Sequence, residues 1–406
     1  MSLRFRRAGT PLLSLLAAAA LAMGTLALGG CMGPAAAAPT RSSVLPIAPR
    51  AGTSEPGRIS AANVYDVQFE TLGDRFAELY PSFPYKRVDW NAQRAAYRSR
   101  ASRARSQDEF IAIVREMLEP LRDLHVWFVD PRGEVVPTYR PRRTANFDQA
   151  RWERALRDAN YITRGEIGEG TIGGYAYLYL RSWKAPVGAQ DLDLLMSRMR
   201  ESPGLIIDVR VNAGGNDATA LALVSRFTTR PLVASYVQMR NGPNQWDLDV
   251  QSARTVSARG LWQYTRPVVV LAGPGGFSAT ESFVAAMRTL PNVTVIGDTT
   301  GGASGNPATF PLANGWQFTV PRWMEFGPDR QPIEGRGVPP HIVIPWAPGE
   351  YDSDRDPLID AAVGLLGELN GVYRIAPAPS ATSGKDGAKD SPKDSAVAGT
   401  RSNGHR

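Results

Sequence analysis

Hydrophobic positions repeat at helical spacing in the first part of the chain beyond residue 60. In AANVYDVQFETLGDRFAELYP, apolar side chains recur every three or four residues, at Val64, Val67, Phe69, Leu72, Phe76 and Leu79. VDWNAQRAAYRSRASRA and SQDEFIAIVREMLEPL continue the pattern, and Ser106 is a candidate N-cap for the latter. These segments predict a small helical bundle that ends at LRDLHVWFVDP, where a strand-like run begins at His125.

From residue 147 onward, helical patterns alternate with short apolar runs. After a predicted helix in FDQARWERALRDA, the strand and helix segments are IGGYAYLYLRSW, AQDLDLLMSRMRE, PGLIIDVRVN, DATALALVSRFTT, PVVVLAGP, SATESFVAAMRTL and NVTVIGDTT. Continuous runs such as LIIDV and VVVLA are typical of strands covered on both faces. The alternation predicts a layered α/β core, followed by a hairpin around Asn314-Gly315 and a closing helix in DPLIDAAVGLLGEL.

The two ends of the chain differ from this body. Three arginines precede an apolar run from Leu12 to Leu28, which is typical of an export signal. The run stops at LGGC, which resembles the lipidation box of bacterial lipoproteins and makes Cys31 the predicted site of lipidation. The alternative is an ordinary secretory signal with an incidental cysteine. Because Cys31 is the only cysteine, the sequence excludes an internal disulfide and a CxxC metal site.

Composition and charge complete the predicted organisation. We expect a signal peptide at 1–30, a flexible tether at 31–58, a helical domain at 59–140, an α/β core at 141–370 and a disordered tail at 371–406. The net charge is +7, but the leader and the tail each carry an excess of three positive charges, which leaves about +1 for residues 32–370. A nearly neutral body gives no electrostatic footprint for nucleic acid.

The segment GPGGFSATES follows a predicted strand and places Ser278 at a helix start. One interpretation is a capping box, because Ser-Ala-Thr-Glu fits the S-x-x-E pattern. The other is a nucleophile that the glycines lift above the sheet edge, with the Ala279 amide facing an anion that forms on a substrate carbonyl. A second donor would come from Gly214 or Gly215, which could equally form only a tight turn.

Few residues can serve as a base for such a nucleophile. The chain has three histidines, and His405 lies in the predicted tail. His341 follows two prolines before an apolar run and is interpreted as structural. No lysine lies between Ser278 and the tail, which excludes a dyad with a lysine shortly downstream. His125 is therefore the candidate general base, and a half-buried structural histidine is the alternative.

In chain order, the motifs YPSFPYKRVDWNAQRAAYRSR, LRDLHVWF, LIIDVRVNAGG, VVVLAGPGGFSATESF, GDTTGG and IEGRGVPPHIVI resemble the tail-specific, or C-terminal processing, serine proteases. The resemblance covers about residues 61–350 and favours the histidine-dependent branch that contains the core of tricorn protease. It implies a crotonase/ClpP-like α/β core behind an N-terminal helical domain. It also implies Ser278 as nucleophile, His125 as base and Glu334 of the EGxG element as the third catalytic residue.

The same resemblance implies a function and a location. We expect a serine peptidase with no metal or cofactor, with oxyanion donors at Ala279 and at Gly214 or Gly215. Its substrate would be a peptide or an unfolded protein, and its place the bacterial cell envelope, anchored by lipid and facing the extracytoplasmic side. A non-catalytic binder of apolar ligands or peptides on the same fold and an esterase-like hydrolase are the alternatives.

The chain departs from the family pattern at three places. No lysine follows GDTT, which agrees with a histidine-dependent branch. Leu124 stands where tricorn-like members carry a serine that links the glutamate to the imidazole, so whether Glu334 orients His125 directly, through water or not at all is open. Pro339-Pro340-His341 stands where PPD is common in the family.

Residues 130–170 also show no glycine-loop signature of a PDZ module, which argues against capture of substrate C-termini by such a module.

Overall fold

The computed structural model describes residues 61–346 and 355–375. The predicted signal peptide, the tether with Cys31 and the tail beyond residue 375 lie outside the described residues. Within the described ranges, none of the helices combines the length and the apolar character needed to cross a bilayer.

The first described elements are helices, as the sequence predicts. They are α1 (Ala61–Leu79), α2 (Phe83–Lys86), α3 (Trp90–Ala101) and α4 (Gln107–Leu118), followed by a 3₁₀ turn at Glu119–Leu121. The hydroxyl of Ser106 accepts a hydrogen bond from the Glu109 amide at 3.1 Å, which confirms the predicted N-cap. Aromatic rings fill the interior: Phe83 lies 4.7 Å from Tyr80 and 5.1 Å from Trp90 between ring centroids.

The α/β core is built on a seven-stranded sheet. In chain order its strands are β3 (Ile162–Arg164), β4 (Ile167–Ile172), β5 (Tyr175–Leu180), β6 (Leu205–Asp208), β9 (Val268–Ala272), β10 (Val293–Gly297) and β14 (Ile342–Val343). Their order across the sheet is β14-β10-β9-β6-β5-β4-β3. The pairs from β14 to β5 are parallel, and β4 and β3 add an antiparallel edge. β6 and β9 are buried along their whole length, as their continuous apolar sequences predict.

Helices cover both faces of this sheet. Helices α6 (Ala189–Met199), α7 (Asp217–Val224) and α8 (Ala279–Met287) contribute to the core on one face. Helices α5 (Gln149–Ala155) and α9 (Pro357–Ile375) cover the other face. The predicted layered α/β core with an N-terminal helical region is therefore confirmed. Helix α9 continues past residue 370, the predicted start of the tail.

Two smaller sheets surround the core. One has the order β11-β12-β1-β2, with β1 at Trp127–Val129, β2 at Val135–Pro137, β11 at Ala308–Pro311 and β12 at Gln317–Val320. β11 and β12 form the hairpin predicted around Asn314-Gly315. The other has the order β13-β7-β8, with β7 at Leu232–Met239, β8 at Ser252–Val256 and β13 at Trp323–Phe326.

The four-stranded sheet joins the helical bundle to the rest of the chain. Phe128 of β1 pairs with Phe318 of β12, and Phe318 and Val320 belong to the same buried cluster as the bundle aromatics. The segment around His125 is thereby held against a strand that lies almost 200 residues later in the chain. This connection sets the bundle beside the carboxyl edge of the large sheet, where open α/β sheets usually place their binding sites.

Candidate active site

Ser278 lies in a strained turn between β9 and α8. Its backbone has φ 60° and ψ −128°, a conformation that non-glycine residues rarely adopt and that often marks a functional position. Gly275 makes the turn possible, because a side chain there would meet the Arg210 carbonyl oxygen at 2.7 Å. The Ser278 amide donates to the Ala303 carbonyl oxygen at 2.8 Å, which fixes the turn against the next loop.

Glu281 holds this turn from inside the protein. Its carboxylate accepts hydrogen bonds from the amides of Gly302 at 2.8 Å, Ala303 at 2.7 Å and Ser278 at 3.3 Å, and from the Thr300 hydroxyl. Burial raises the pKa of Glu281 to about 8, although these hydrogen bonds favour the carboxylate. The acid of the S-x-x-E pattern thus stabilises the turn that presents Ser278, so capping and presentation of a nucleophile are compatible.

Two backbone amides, one in the glycine loop and one in the serine turn, have no acceptor among the described residues. Gly214 and Gly215 have φ values of 90° and 139°. The Gly214 amide is occupied, because it donates to the Asn212 side-chain oxygen at 2.9 Å. The amides of Gly215 and Ala279 donate to no acceptor within residues 61–346 and 355–375. Of the two glycines, Gly215 is therefore the one whose amide is free to bind an anion.

The glycine loop touches the serine turn. A Cβ atom built on Gly214 would lie 2.6 Å from the Ser278 Cβ and 3.2 Å from the Ala279 amide nitrogen. On its other side the loop is held by Trp183, whose amide donates to the Gly214 carbonyl oxygen at 3.0 Å. Gly214 is therefore needed both for the geometry of its own turn and for the close approach of the glycine loop to the serine turn.

This contact leads to a prediction for Gly214→Ala. We expect kcat/KM for the reaction at Ser278 to fall by about 100-fold, because the new methyl group displaces the serine turn. The alanine must also adopt the positive φ of Gly214, which a residue with a side chain rarely adopts. Steady-state kinetics on a peptide substrate measure the loss. Gly364→Ala is the matched control, since Gly364 is an exposed residue of helix α9 with no atom within 4 Å of its added Cβ. Equal kinetics for the two variants would contradict the prediction.

Ser278 opens onto a cavity of about 100 Å³. The cavity brings together five of the residues predicted from sequence, namely Ser278, His125, Ala279, Gly214 and Gly215. The remaining lining includes three aromatic side chains and four that can carry charge or donate a hydrogen bond: Trp127, Phe277, Trp323, Lys184, Asp217, Ser282 and Glu325. Residues as far apart in the chain as His125 and Glu325, 200 positions, thus meet at one site.

The acidic groups of the cavity wall are already paired. Arg254 donates to Glu325 at 3.1 Å and forms an ion pair with Asp217. The Ser282 hydroxyl donates to Glu325 at 2.7 Å. Burial raises the pKa of Glu325, and Arg254 opposes that effect. These contacts tie β13 and β8 to helices α7 and α8 and shape the wall opposite the glycine loop.

His125 is buried at the side of the cavity, with 5% of its surface exposed. Its amide donates to an Asp123 carboxylate oxygen at 2.7 Å, and its carbonyl oxygen accepts from the Thr319 hydroxyl at 2.7 Å. The imidazole Nδ1 has no partner among the described residues. Burial lowers the pKa of His125, and the charge of Asp123 only partly opposes this, so the ring is neutral at neutral pH and can accept a proton.

A buried polar cluster lies behind His125. One ligand-type atom from each of Asp123, His125 and Glu334 lies within 4.8 Å of the other two. The Tyr80 hydroxyl donates to Asp123 at 2.9 Å, and the Lys86 ammonium donates to Glu334 at 2.6 Å. Glu334 does not line the cavity with Ser278. It lies in this second layer, where its other oxygen accepts from the Ser304 amide at 3.1 Å.

Three members of this cluster, Tyr80, Lys86 and Asp123, are absent from the sequence-based prediction. The Asp-x-His spacing in LRDLH was a usable signal for Asp123, because a carboxylate two residues before a histidine can cap its amide. Asp123, His125 and Glu334 also have the composition of a metal site. The Lys86 ammonium already supplies a cation to Glu334 there, so this donor set fits an ion-paired cluster better than a metal.

His341 lies apart from the cavity. Its Nδ1 accepts the Val295 amide at 3.0 Å, and its own amide donates to the Val295 carbonyl oxygen at 2.8 Å. These bonds attach β14 to β10, which agrees with the structural interpretation of this residue.

Two family descriptions match the chain. Residues 174–344 match peptidase family S41, and residues 63–119 match the tricorn protease C1 domain. Among curated proteins, tricorn protease homolog 1 of Streptomyces coelicolor is 30% identical over 208 residues, which are 50% of this chain and 18% of that protein. The carboxy-terminal processing protease CtpA of Bacillus subtilis is 28% identical over 141 residues, 34% of this chain and 28% of that protein. The chain thus spans less than a third of either relative.

Solved structures match over most of the described fold. A crystal structure of a putative peptidase from Parabacteroides merdae is 30% identical, with a TM-score of 0.66, and the match covers 74% of this chain and 95% of that one. Mature CPAF is 12% identical, with a TM-score of 0.60, and the match covers 77% of this chain and 98% of the CPAF chain. At that identity the match supports the fold alone. Residues 174–344 match the family description, and the match to the 30% identical Parabacteroides merdae peptidase covers 95% of that protein. We therefore conclude that the chain belongs to peptidase family S41.

Proposed function

We propose that this protein is a serine peptidase that cleaves peptide bonds through an acyl-enzyme intermediate. One observation carries the proposal: a single cavity is lined by Ser278 in a strained turn, by a buried histidine and by two backbone amides with no protein acceptor. Membership of a peptidase family supports the same reaction class.

In the proposed reaction, His125 takes the proton of the Ser278 hydroxyl while the oxygen attacks the substrate carbonyl carbon. The amides of Ala279 and Gly215 stabilise the oxyanion, each lowering the barrier by about 3 kcal/mol. The imidazolium of His125 then gives its proton to the departing amine as the peptide C–N bond breaks. A water molecule, deprotonated by His125, attacks the ester carbonyl and releases the acyl product, which restores the serine.

Glu334 and Asp123 would act on His125 from behind. One oxygen of each lies within 4.8 Å of a ring nitrogen, and the charge of Asp123 raises the pKa of His125, which favours the imidazolium that forms during proton transfer. Glu334 is the third catalytic residue that the family resemblance implies. Its direct bonds go to Lys86 and to the Ser304 amide, so its influence on the imidazole would be electrostatic or through water.

The pH dependence of kcat/KM should report the buried histidine. Because burial lowers the pKa of His125 below its ordinary value of about 6.5, the neutral base is retained down to that pH. We therefore expect kcat/KM to stay level at neutral pH and to fall as the pH drops below about 6.5. Initial rates from roughly pH 5 to 9 measure this profile. An acid limb above pH 7 would mean that a carboxylate of the cluster, rather than the imidazole, controls activity.

Two experiments separate the proposal from its alternatives. A fluorophosphonate forms an adduct with an activated serine, so a peptidase or an esterase-like hydrolase should be labelled, whereas a non-catalytic binder should not. Paired amide and ester substrates with the same acyl group then distinguish the two enzymes. Hydrolysis of the ester alone would replace the peptidase assignment with an esterase.

We also infer that the protein is a lipoprotein of the bacterial cell envelope that acts on peptides or unfolded proteins near the membrane. The inference rests on the sequence, with an export signal that ends in LGGC. We expect Cys31→Ser to abolish incorporation of a labelled fatty acid and to move the protein out of the membrane fraction of the producing cells. An unchanged membrane fraction and unchanged labelling would contradict the anchor. Ser43→Ala in the predicted tether is the control.

A further inference from the structure

We propose that Lys86, contributed by the N-terminal helical region, is a positioning residue that holds Glu334 behind His125 through a buried contact. The proposal rests on the proposed function, because its effect is measured through the reaction at Ser278. Lys86 does not line the cavity with Ser278, so it would act through Glu334 rather than on substrate.

Lys86 joins the two loops that carry the carboxylates. Its ammonium donates to Glu334 at 2.6 Å and to the Arg122 carbonyl oxygen at 3.3 Å, and Arg122 directly precedes Asp123. Only 12% of the lysine side chain and 1% of the glutamate side chain are exposed. The ion pair therefore connects residues 248 positions apart at a site that water hardly reaches.

Hydrogen bonds fix the backbone of the turn that carries Lys86. It is the last residue of the short helix α2, and its amide donates to the Ser82 carbonyl oxygen at 2.9 Å. Arg87 follows in the left-handed region, at φ 55°, and ends the helix with its amide on the Pro84 carbonyl oxygen at 3.2 Å. A lysine on a locked turn loses less side-chain freedom when it pairs, so this geometry favours a persistent contact.

The charges of the cluster explain why the lysine is needed. Tyr80, Asp123 and Glu334 all face the space around His125, and Lys86 is the one cation with a bond to any of them within the described residues. Two buried carboxylates at this spacing cannot both stay ionised without compensation. Burial and the charge of Asp123 raise the pKa of Glu334 to about 8, and the Lys86 ammonium keeps it from rising further.

Lys86 itself stays protonated in this setting. Burial would lower its pKa, but the charges of Glu334 and Asp123 together raise it above its ordinary value, with a smaller contribution from Tyr139. The ammonium therefore places a positive charge against Glu334, in a cluster that otherwise contains two carboxyl groups and a tyrosine.

The test uses two variants of Lys86 and a double-mutant cycle. In Lys86→Met, Glu334 loses the ammonium that holds it behind His125, while the acid limb of kcat/KM, which reports the imidazole, should keep its position. At neutral pH, kcat should fall by roughly 10- to 100-fold while KM changes less than about twofold. Lys86→Arg keeps the charge and should restore kcat to within about threefold of wild type. Arg87→Met removes the neighbouring exposed cation and is the matched control.

The cycle with Glu334→Gln shows whether the lysine acts through the glutamate. The Lys86→Met/Glu334→Gln variant should be no slower than Glu334→Gln alone. Multiplicative losses, or a wild-type kcat in Lys86→Met, would overturn the proposal. If Lys86→Met does not fold, Lys86→Gln with Lys86→Arg gives the same comparison. If a fluorophosphonate labels the wild-type protein, the peptidase assignment stands, and a contrary result with the Lys86 variants counts only against the role of Lys86.

Discussion

Ser278→Ala is expected to lower kcat/KM for peptide hydrolysis by about 10⁵- to 10⁶-fold, the loss typical when the nucleophile of a serine peptidase is removed. No other hydroxyl can replace it without moving, because the strained turn presents residue 278 next to the free amides of Ala279 and Gly215. Hydrolysis of a fluorogenic peptide, followed over hours, measures the residual rate.

The same variant should keep its fold. The bonds that hold the turn, to Ala303 and Glu281, use the backbone of residue 278 and survive the substitution. We expect the melting temperature to change by less than about 2 °C. Ser197→Ala, which removes an exposed hydroxyl from helix α6, is the matched control and should retain full activity. Activity within tenfold of wild type in Ser278→Ala would reject the assignment of the nucleophile.

We expect Arg210→Met to lower the free energy of unfolding more than any of the other variants. Arg210 is fully buried and pairs with Asp208 at 2.7 Å and with Asp356 at 3.0 Å, while the Tyr177 hydroxyl donates to Asp208 at 2.9 Å. Removing the guanidinium leaves two buried carboxylates without compensation, which should cost about 3–5 kcal/mol of the free energy of unfolding. Since domains are stable by only about 5–15 kcal/mol, the variant would be close to unfolding.

Urea denaturation measures this loss as a lower midpoint at an unchanged slope. The control is Arg98→Met, which removes the partner of Glu70 at 2.9 Å in a pair where the arginine side chain is 58% exposed, and should cost no more than about 1 kcal/mol. Adding Asp208→Asn and Asp356→Asn to Arg210→Met should recover part of the stability, because neutral amides bury at lower cost. Equal midpoints for the two arginine variants would contradict the role of the buried network.

Periodicity in the sequence predicts the elements whose burial is regular. β6 and β9 are covered on both faces, and α4 buries one side, so each leaves a clear pattern of apolar residues. β7 and β8 leave no such pattern, because most of their residues are partly buried or exposed, and the residues of β13 that pair with β7 lie 84 to 90 positions later in the chain. The pairing of these strands depends on tertiary contacts that local sequence does not record.

The parts of the candidate site that are formed by residues close together in the sequence could be predicted. The glycines before Ser278 and after Asn212 show in the sequence as turns, and the Asn-x-Gly spacing could have indicated that Asn212 occupies the Gly214 amide. The ion pair between Lys86 and Glu334 could not be predicted in this way, because its members are 248 residues apart and neither lies in a pattern that names its partner. Leu124 leaves no serine link to Glu334, and Asp123 with Lys86 surrounds the histidine instead.

The most direct measurement is the mass of the protein and of its peptides after treatment with a fluorophosphonate. We expect one adduct, on the peptide that contains Ser278, with slower formation in His125→Ala and none in Ser278→Ala. An unmodified wild-type protein, or an adduct on any other residue, would contradict the claim that the buried imidazole activates this hydroxyl.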